Sequence, residues 1–175
     1  ICFGFGSMPV ESPAETVAMI GSACAELGER ALICAGWSDF RDVTLPEHVK
    51  VVGAVNYATV FPTCRAIVHH GGSGTTAASM RAGVPTLILS MDVNQTVWGA
   101  QLERLGVGAA RRFASTDRES LVADLSRILA PEYLTRAREL AAKMTTPAES
   151  RMRAADVAED FARLRFAPNR RQWAD

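Results

Sequence analysis

The chain has 175 residues, 48% of them apolar and 22% charged, as expected of one globular domain long enough to bury a core. Its 19 basic and 19 acidic residues cancel, which argues against a nucleic-acid or anionic-membrane surface but not against a phosphate held by backbone amides. No apolar run approaches the ~20 residues of a membrane-spanning helix, and no secretory signal segment is visible.

The chain opens in an apolar run, Ile1-Cys2-Phe3-Gly4-Phe5-Gly6, without an initiator Met. That is the expectation for a piece of something longer. Short apolar runs at 1–5, 31–35, 49–53, 66–70 and 85–89, with a weaker one at 109–113, read as strands. They are nearly continuous in Val, Ile and Leu, as in a parallel sheet buried on both faces. Between the first two, Ser12, Pro13 and Glu15 predict a capped helix running to Gly28. Residues 58–64, which include Pro62, form a brief helix at most. Residues 96–105 read as a helix ending at Gly106, and Thr116-x-x-Glu119 predicts a capping box opening a helix to about Ala130. Pro131 starts another helix, the run Thr145-Thr146-Pro147 breaks it, and a last helix spans about Ala148 to Leu164. The order predicts an α/β fold: a Rossmann-like open parallel sheet of about six strands with helices on both faces. The domain is expected over 1–165, followed by a polar tail over 166–175.

Ligands of such folds sit outside the carboxyl ends of the strands. Three turn-forming segments fall there: Gly4-Phe5-Gly6-Ser7, Gly36-Trp37-Ser38, and His70 to Thr76. The third is the most informative. His69-His70-Gly71-Gly72-Ser73-Gly74-Thr75-Thr76 follows an apolar run and leads into a helix. Glycines let a backbone approach a ligand, and the first amides of the helix attract an anion. This is the design of a phosphate cradle, with His70 as a further donor to a leaving diphosphate. His69 alternates to the other face and is expected to pack.

The turn at Gly4 is not a dinucleotide fingerprint, because Pro9 stands where the third glycine belongs. Ser7 reads as a phosphate donor or as part of a tight turn. Trp37 reads as a ring-stacking platform, an interface residue or a core residue. The segment Ser90 to Gln95 offers groups for sugar hydroxyls, and a single carboxylate, Asp92, is too little for a magnesium site. Arg111 and Arg112 read as a solvated strand end. No cofactor and no metal are expected. Cys2, Cys24, Cys34 and Cys64 lack the spacing of a zinc or redox motif, so they read as small buried hydrophobes in a reducing, cytoplasmic setting.

Four segments together resemble the carboxyl-terminal half of a two-domain GT-B glycosyltransferase of family 1 type, in the bacterial branch acting on antibiotics, glycolipids and sterols. They are Gly4 to Met8; Gly36-Trp37; Val55-Asn56-Tyr57 through the His69–Thr76 run to Arg81-Ala82-Gly83-Val84-Pro85; and Asn94-Gln95-Thr96-Val97-Trp98-Gly99-Ala100. The resemblance implies that Ser7, His70, Gly72, Ser73, Gly74, Thr75 and Thr76 hold a diphosphate. Val55 would meet the base through its backbone, with Trp37 beside it, and Asn94 and Gln95 would hold the donor sugar. The implied partner is a UDP- or TDP-sugar, transferred with inversion and without metal by a hexosyltransferase. Its acceptor-binding amino-terminal half, which carries the catalytic base and any peripheral membrane contact, is absent from this chain. The isolated chain is then expected to bind nucleotide without transferring sugar. The family usually has Asp-Gln where this chain has Asn94-Gln95, which favours a deoxysugar over glucose. Ala78 stands where plant-type relatives place an acid for the ribose. Val157, Phe161, Leu164 and Phe166 on the last helix are expected to be partly exposed. The alternatives are a sugar-nucleotide epimerase of the same fold and a non-catalytic nucleotide-binding module.

Overall fold

A computed structural model describes residues 1–166, with side chains to residue 163. Residues 167–175 of the expected tail, and the side chains of Leu164 and Phe166, lie outside the described residues. The chain divides into one compact unit, Ile1–Lys143, and a second beginning at Met144.

In the first unit the elements are β1 (Cys2–Gly4), α1 (Pro13–Glu26), β2 (Ala31–Cys34), β3 (Val49–Val52), α2 (Tyr57–Val60), β4 (Ile67–His69), α3 (Ser73–Arg81), β5 (Thr86–Ser90), α4 (Val93–Leu105), β6 (Gly108–Arg112), α5 (Arg118–Ile128) and α6 (Pro131–Ala141). Short 3-10 turns, Phe61–Thr63 and Phe113–Ser115, follow α2 and β6. All six predicted strands are present. They form one parallel sheet in the order β3-β2-β1-β4-β5-β6.

The strands are apolar on both sides because both faces are covered. Phe3, Ile33, Val68, Leu87 and Leu89 pack with Val17 and Ile20 of α1 and Leu121 and Leu125 of α5. On the other face Cys2, Cys34 and Ile67 pack with Phe61 and Val84, and Ile88 packs with Leu102 of α4 and Ala137 of α6. Cys2, Cys24 and Cys34 are buried, Cys64 is half-buried, and none forms a disulfide.

Three helix starts differ from the reading above. At α1, Pro13 occupies the first turn as predicted, but the Ser12 side chain makes no capping bond. The α5 cap is Asp117 rather than Thr116. The Thr116 hydroxyl donates to the Arg112 carbonyl at 2.8 Å, while Asp117 accepts from the Ser120 amide at 2.8 Å. A carboxylate is the stronger acceptor for helix N-terminal amides. Third, α4 starts at Val93 instead of residue 96. Asp92 and Gln95 form a reciprocal capping box, with Asp92 Oδ1 accepting from Asn94 N–H at 2.9 Å and Gln95 Oε1 accepting from Asp92 N–H at 3.1 Å and also from Met91 N–H at 2.7 Å.

Arg111 is not a merely solvated strand end. Its Nε donates to Asp124 Oδ2 at 2.6 Å, and the Asp124 side chain is only 8% exposed. That charge on α5 is thereby paired with a cation on β6, as a buried carboxylate requires.

The second unit holds α7 (Pro147–Phe166). Thr146 N–H donates to Glu149 Oε2 at 2.7 Å and Glu149 N–H to Thr146 Oγ1 at 3.2 Å, closing its first turn. Val157 and Phe161 are exposed, as expected, and so is Met152. No helix among the described residues is long and apolar enough to cross a membrane.

The sheet edge depends on one close approach between the β1 and β2 turns. Gly36 has φ +58°, and a Cβ there would stand 2.1 Å from the Gly6 carbonyl oxygen, which accepts from Trp37 N–H at 3.0 Å. Gly36→Ala is therefore expected to cost more than the about 1–2 kcal/mol of a left-handed alanine alone. Urea unfolding of the variant against the parent chain measures the loss.

Candidate functional site

Strand order reverses between β1 and β4, which are neighbours in the sheet but run to helices on opposite faces. Loops leaving such a pair diverge and open a crevice at their carboxyl ends. The Gly4–Ser7 turn leaves β1 there, and the His69–Gly72 turn leaves β4.

His70 joins the two turns. Built at Gly6, a Cβ would lie 2.9 Å from His70 Cε1; built at Gly72, it would lie 2.7 Å from His70 Nε2. The imidazole thus fills the space that two absent side chains leave. His70 is 9% exposed, and its Nδ1 has no hydrogen-bond partner among the described residues. Burial pushes its pKa below the ordinary histidine value, so the ring is neutral near neutral pH.

Beside the ring, α3 begins at Ser73. Its N-cap is Gly72, which has no side chain to satisfy the first-turn amides. The N–H groups of Ser73, Gly74 and Thr75 carry no intrahelical partner by position and stand at the positive end of the helix dipole. Ser73 and Gly74 are exposed and Thr75 is half-buried. Such an arrangement is able to hold an anion on backbone groups alone.

Thr76 differs from its neighbours. It is 1% exposed, and both its N–H and its hydroxyl donate to the Gly72 carbonyl at 2.9 Å. It braces the first turn from beneath. Ser7 is exposed on the β1 turn one residue beyond Gly6.

His69 lies on the opposite face of β4, as its alternation predicts. It is 0% exposed, and its Nδ1 accepts from Gly71 N–H at 2.9 Å. The donor, Gly71, has φ +97°, and a Cβ there would meet Gln95 and Ile88 within 3.1 Å. His69 therefore holds the turn that aims His70 and Gly72.

Trp37 is 76% exposed at the carboxyl end of β2, which removes the core reading and leaves its ring open to a flat partner. Val55 lies between β3 and α2, half-buried against the cluster that includes Tyr57 and Phe61. Tyr57 stacks on Phe61 with centroids 4.3 Å apart, backing the loop that carries Val55.

Asn94 is exposed in the first turn of α4. Gln95 is half-buried, and its carbonyl oxygen is committed to the cap through Met91 and Asp92, so only its amide nitrogen end can serve a ligand. The Asp92-x-x-Gln95 spacing carried this signal, since it is the capping-box pattern. Among the described residues no three His, Cys, Asp or Glu side chains gather as a metal ion would need.

His69 also sets a pH dependence. Burial lowers its pKa from 6.5 to about 3, so the folded state holds it neutral while the unfolded chain protonates it near 6.5. Its contribution is complete above pH 6.5 and is lost as pH falls towards 3. The expected loss is about 2 kcal/mol on going from pH 6.5 to about pH 5. Denaturant midpoints across that range should fall in the parent chain and flatten by this share in His69→Asn.

Comparison with known proteins gives the site a family. A family model described as Erythromycin biosynthesis protein CIII-like, C-terminal domain, matches residues 8–164. An uncharacterized glycosyltransferase of Mycobacterium tuberculosis is 61% identical over 163 residues, 93% of this chain and 39% of that protein. The sterol 3-beta-glucosyltransferase UGT80B1 of Arabidopsis thaliana is 34% identical over 144 residues, 81% of this chain and 23% of that protein. Among solved structures, the Streptomyces sp. SF2575 glycosyltransferase SsfS6, complexed with thymidine diphosphate, has a TM-score of 0.62 at 26% identity, covering 81% of this chain and 35% of that one. Glycosyltransferase VinC in complex with DTDP has a TM-score of 0.70 at 23% identity, covering 91% of this chain and 41% of that one. The chain thus spans about two fifths, or less, of the length of the curated relatives it matches. On the match over residues 8–164, the chain belongs to the EryCIII-like C-terminal domain family, the carboxyl-terminal domain of GT-B glycosyltransferases.

Proposed function

We propose that this chain is the donor-binding half of an inverting glycosyltransferase that moves a sugar from a UDP- or TDP-sugar to a hydroxyl of a lipid, glycopeptide or natural product. One observation carries the reading. At the β1/β4 crevice, the His70 ring lies against Gly6 and Gly72, beside α3 amides that no side chain caps. In this reading a diphosphate places one phosphate at the helix N-terminus and the other against the imidazole and Ser7. SsfS6, complexed with thymidine diphosphate, supports a nucleoside diphosphate as the ligand.

The remaining parts follow in order along the sheet edge. Trp37 and the Val55 backbone take the base at the β2–β3 side. Ser7, His70, Ser73, Gly74 and Thr75 take the diphosphate at the centre. Asn94 and the amide of Gln95 take the sugar at the β5 side. As the glycosidic bond breaks, negative charge grows on the diphosphate. Preset amide dipoles and the imidazole stabilise that charge more in the transition state than before it. The acceptor hydroxyl needs a base, which we place in an amino-terminal half outside this chain, so the chain alone binds nucleotide and transfers nothing. An epimerase would need an acidic group in the crevice, but the Asp92 carboxylate is occupied in capping α4.

Calorimetric titration with UDP, TDP and NAD tests the reading. UDP or TDP should bind and NAD should not. His70→Ala should weaken diphosphate binding by roughly 10- to 100-fold, the worth of a hydrogen bond to a charged group. Preference for NAD, or unchanged affinity in His70→Ala, would contradict it.

A further inference from the structure

Three of the chain's four cysteines meet on one face of the sheet, although their spacing in the sequence carries no motif. Cys2 opens β1, Cys34 closes β2, and Cys64 lies in the loop that enters β4. All three pack in the cluster built around Phe61, Ile67 and Val84. Cys2 Sγ is 3.9 Å from Cys34 Sγ, and the Cys2 thiol also donates to the Cys64 sulfur. Cys24, in α1, packs on the opposite face and takes no part. Among the described residues these sulfurs do not form a group that could hold a metal ion, so the chemistry open to them is that of sulfur with sulfur.

The three thiols differ in access. Cys2 and Cys34 are buried. Cys64 is half-buried and lines a cavity of about 360 Å³ with Pro62, Arg65, Pro85 and Arg138 around it. A solvent-borne oxidant therefore meets Cys64 first, and the thiolate is the form that reacts. The Cys64 pKa is lowered from 9.0 to about 7, first by the hydrogen bond from Cys2, so much of it is thiolate near neutral pH. Geometry also chooses the partner. Cys34 pairs in register with Gly4, two residues along β1 from Cys2. Diagonal neighbours of this kind stand about 7–8 Å apart, beyond the roughly 4.4–6.8 Å between Cα atoms that a disulfide spans. Two paired strands cannot close that gap without moving the sheet, whereas Cys64 sits outside any strand.

We propose that Cys64 is a peroxide-reactive modification site and that Cys2 resolves it into a Cys2–Cys64 disulfide. The Cys64 sulfur attacks one oxygen of the peroxide. An S–O bond forms, the O–O bond breaks, and the second oxygen leaves as hydroxide, which takes up the proton the thiol released and becomes water. The Cys2 sulfur then attacks the sulfenic sulfur of Cys64. The S–S bond forms, the S–O bond breaks, and the Cys2 proton leaves with the oxygen as a second water. Two thiols thereby give two electrons and two hydrogens to one peroxide. This chemistry is independent of any ligand at the β1/β4 crevice.

Dilute hydrogen peroxide near neutral pH, followed by alkylation of the remaining thiols and peptide mass mapping, reads the outcome. The folded chain should lose two thiols together, at Cys2 and Cys64, while Cys24 and Cys34 stay reduced, and a reductant should restore both. Cys64→Ser should lose none at the same exposure. Cys2→Ala should stop at a sulfenic acid on Cys64, captured by dimedone, and the pH midpoint of Cys64 alkylation should rise from about 7 towards 9.0 as the donor is removed. In the parent chain, an unreactive Cys64, a sulfenic acid that persists there, a Cys2–Cys34 disulfide or a disulfide between two chains through Cys64 would each overturn the proposal. So would oxidation of Cys64→Ser at the parent rate, or an unmoved midpoint in Cys2→Ala.

Discussion

The site depends on a place where two side chains are missing. The His70 imidazole occupies the space in which Cβ atoms at Gly6 and Gly72 would stand, 2.9 and 2.7 Å from ring atoms. Gly6 also ties in the β2 turn, because its carbonyl accepts from Trp37 N–H and sits where a Gly36 side chain would go. Three turns from three strands are thereby held at one edge by backbone contact. Side chains would separate them, and the sheet would present loops without a common site. The reversal of strand order between β1 and β4 opens the crevice, and the glycines let its walls close on a ring.

The chemistry that results is mostly backbone chemistry. Gly72 caps α3 without supplying an acceptor, so the amides of Ser73, Gly74 and Thr75 keep their donors for a ligand. Thr76 and His69 support them from within, one through Gly72 and the other through Gly71. A neutral chain can bind a dianion this way, since the positive potential comes from oriented amides rather than from lysine or arginine.

Much of this was legible in the sequence. All six strands stand where continuous apolar runs place them, because a parallel sheet covered on both faces leaves no polar alternation to confuse the reading. The glycine run after β4 announced its close approaches, and the alternation of His69 and His70 separated the packed ring from the one in the crevice. What escaped were competitions between hydrogen-bond partners. Thr116 looked like a cap, but its hydroxyl reaches the Arg112 carbonyl and Asp117 takes its place. The resemblance gave Gln95 to the donor sugar, and its carbonyl oxygen also closes the cap of α4. Thr76 looked like a ligand donor, but it turns back on Gly72. Arg111 looked solvated, but a carboxylate more than ten residues away in sequence pairs with it. Each of these depends on which of several acceptors lies nearest once the chain is folded, and residue spacing does not encode that.

The central claim is that α3 amides and the His70 ring receive the diphosphate together. Amide and imidazole NMR of the 175-residue chain during titration with UDP tests it most directly. The account predicts the largest shifts at the Ser73, Gly74 and Thr75 amides and at His70, with the Thr76 amide, already bonded to Gly72, moving much less. Shifts centred on another part of the sheet edge, with Ser73 to Thr75 unmoved, would contradict it.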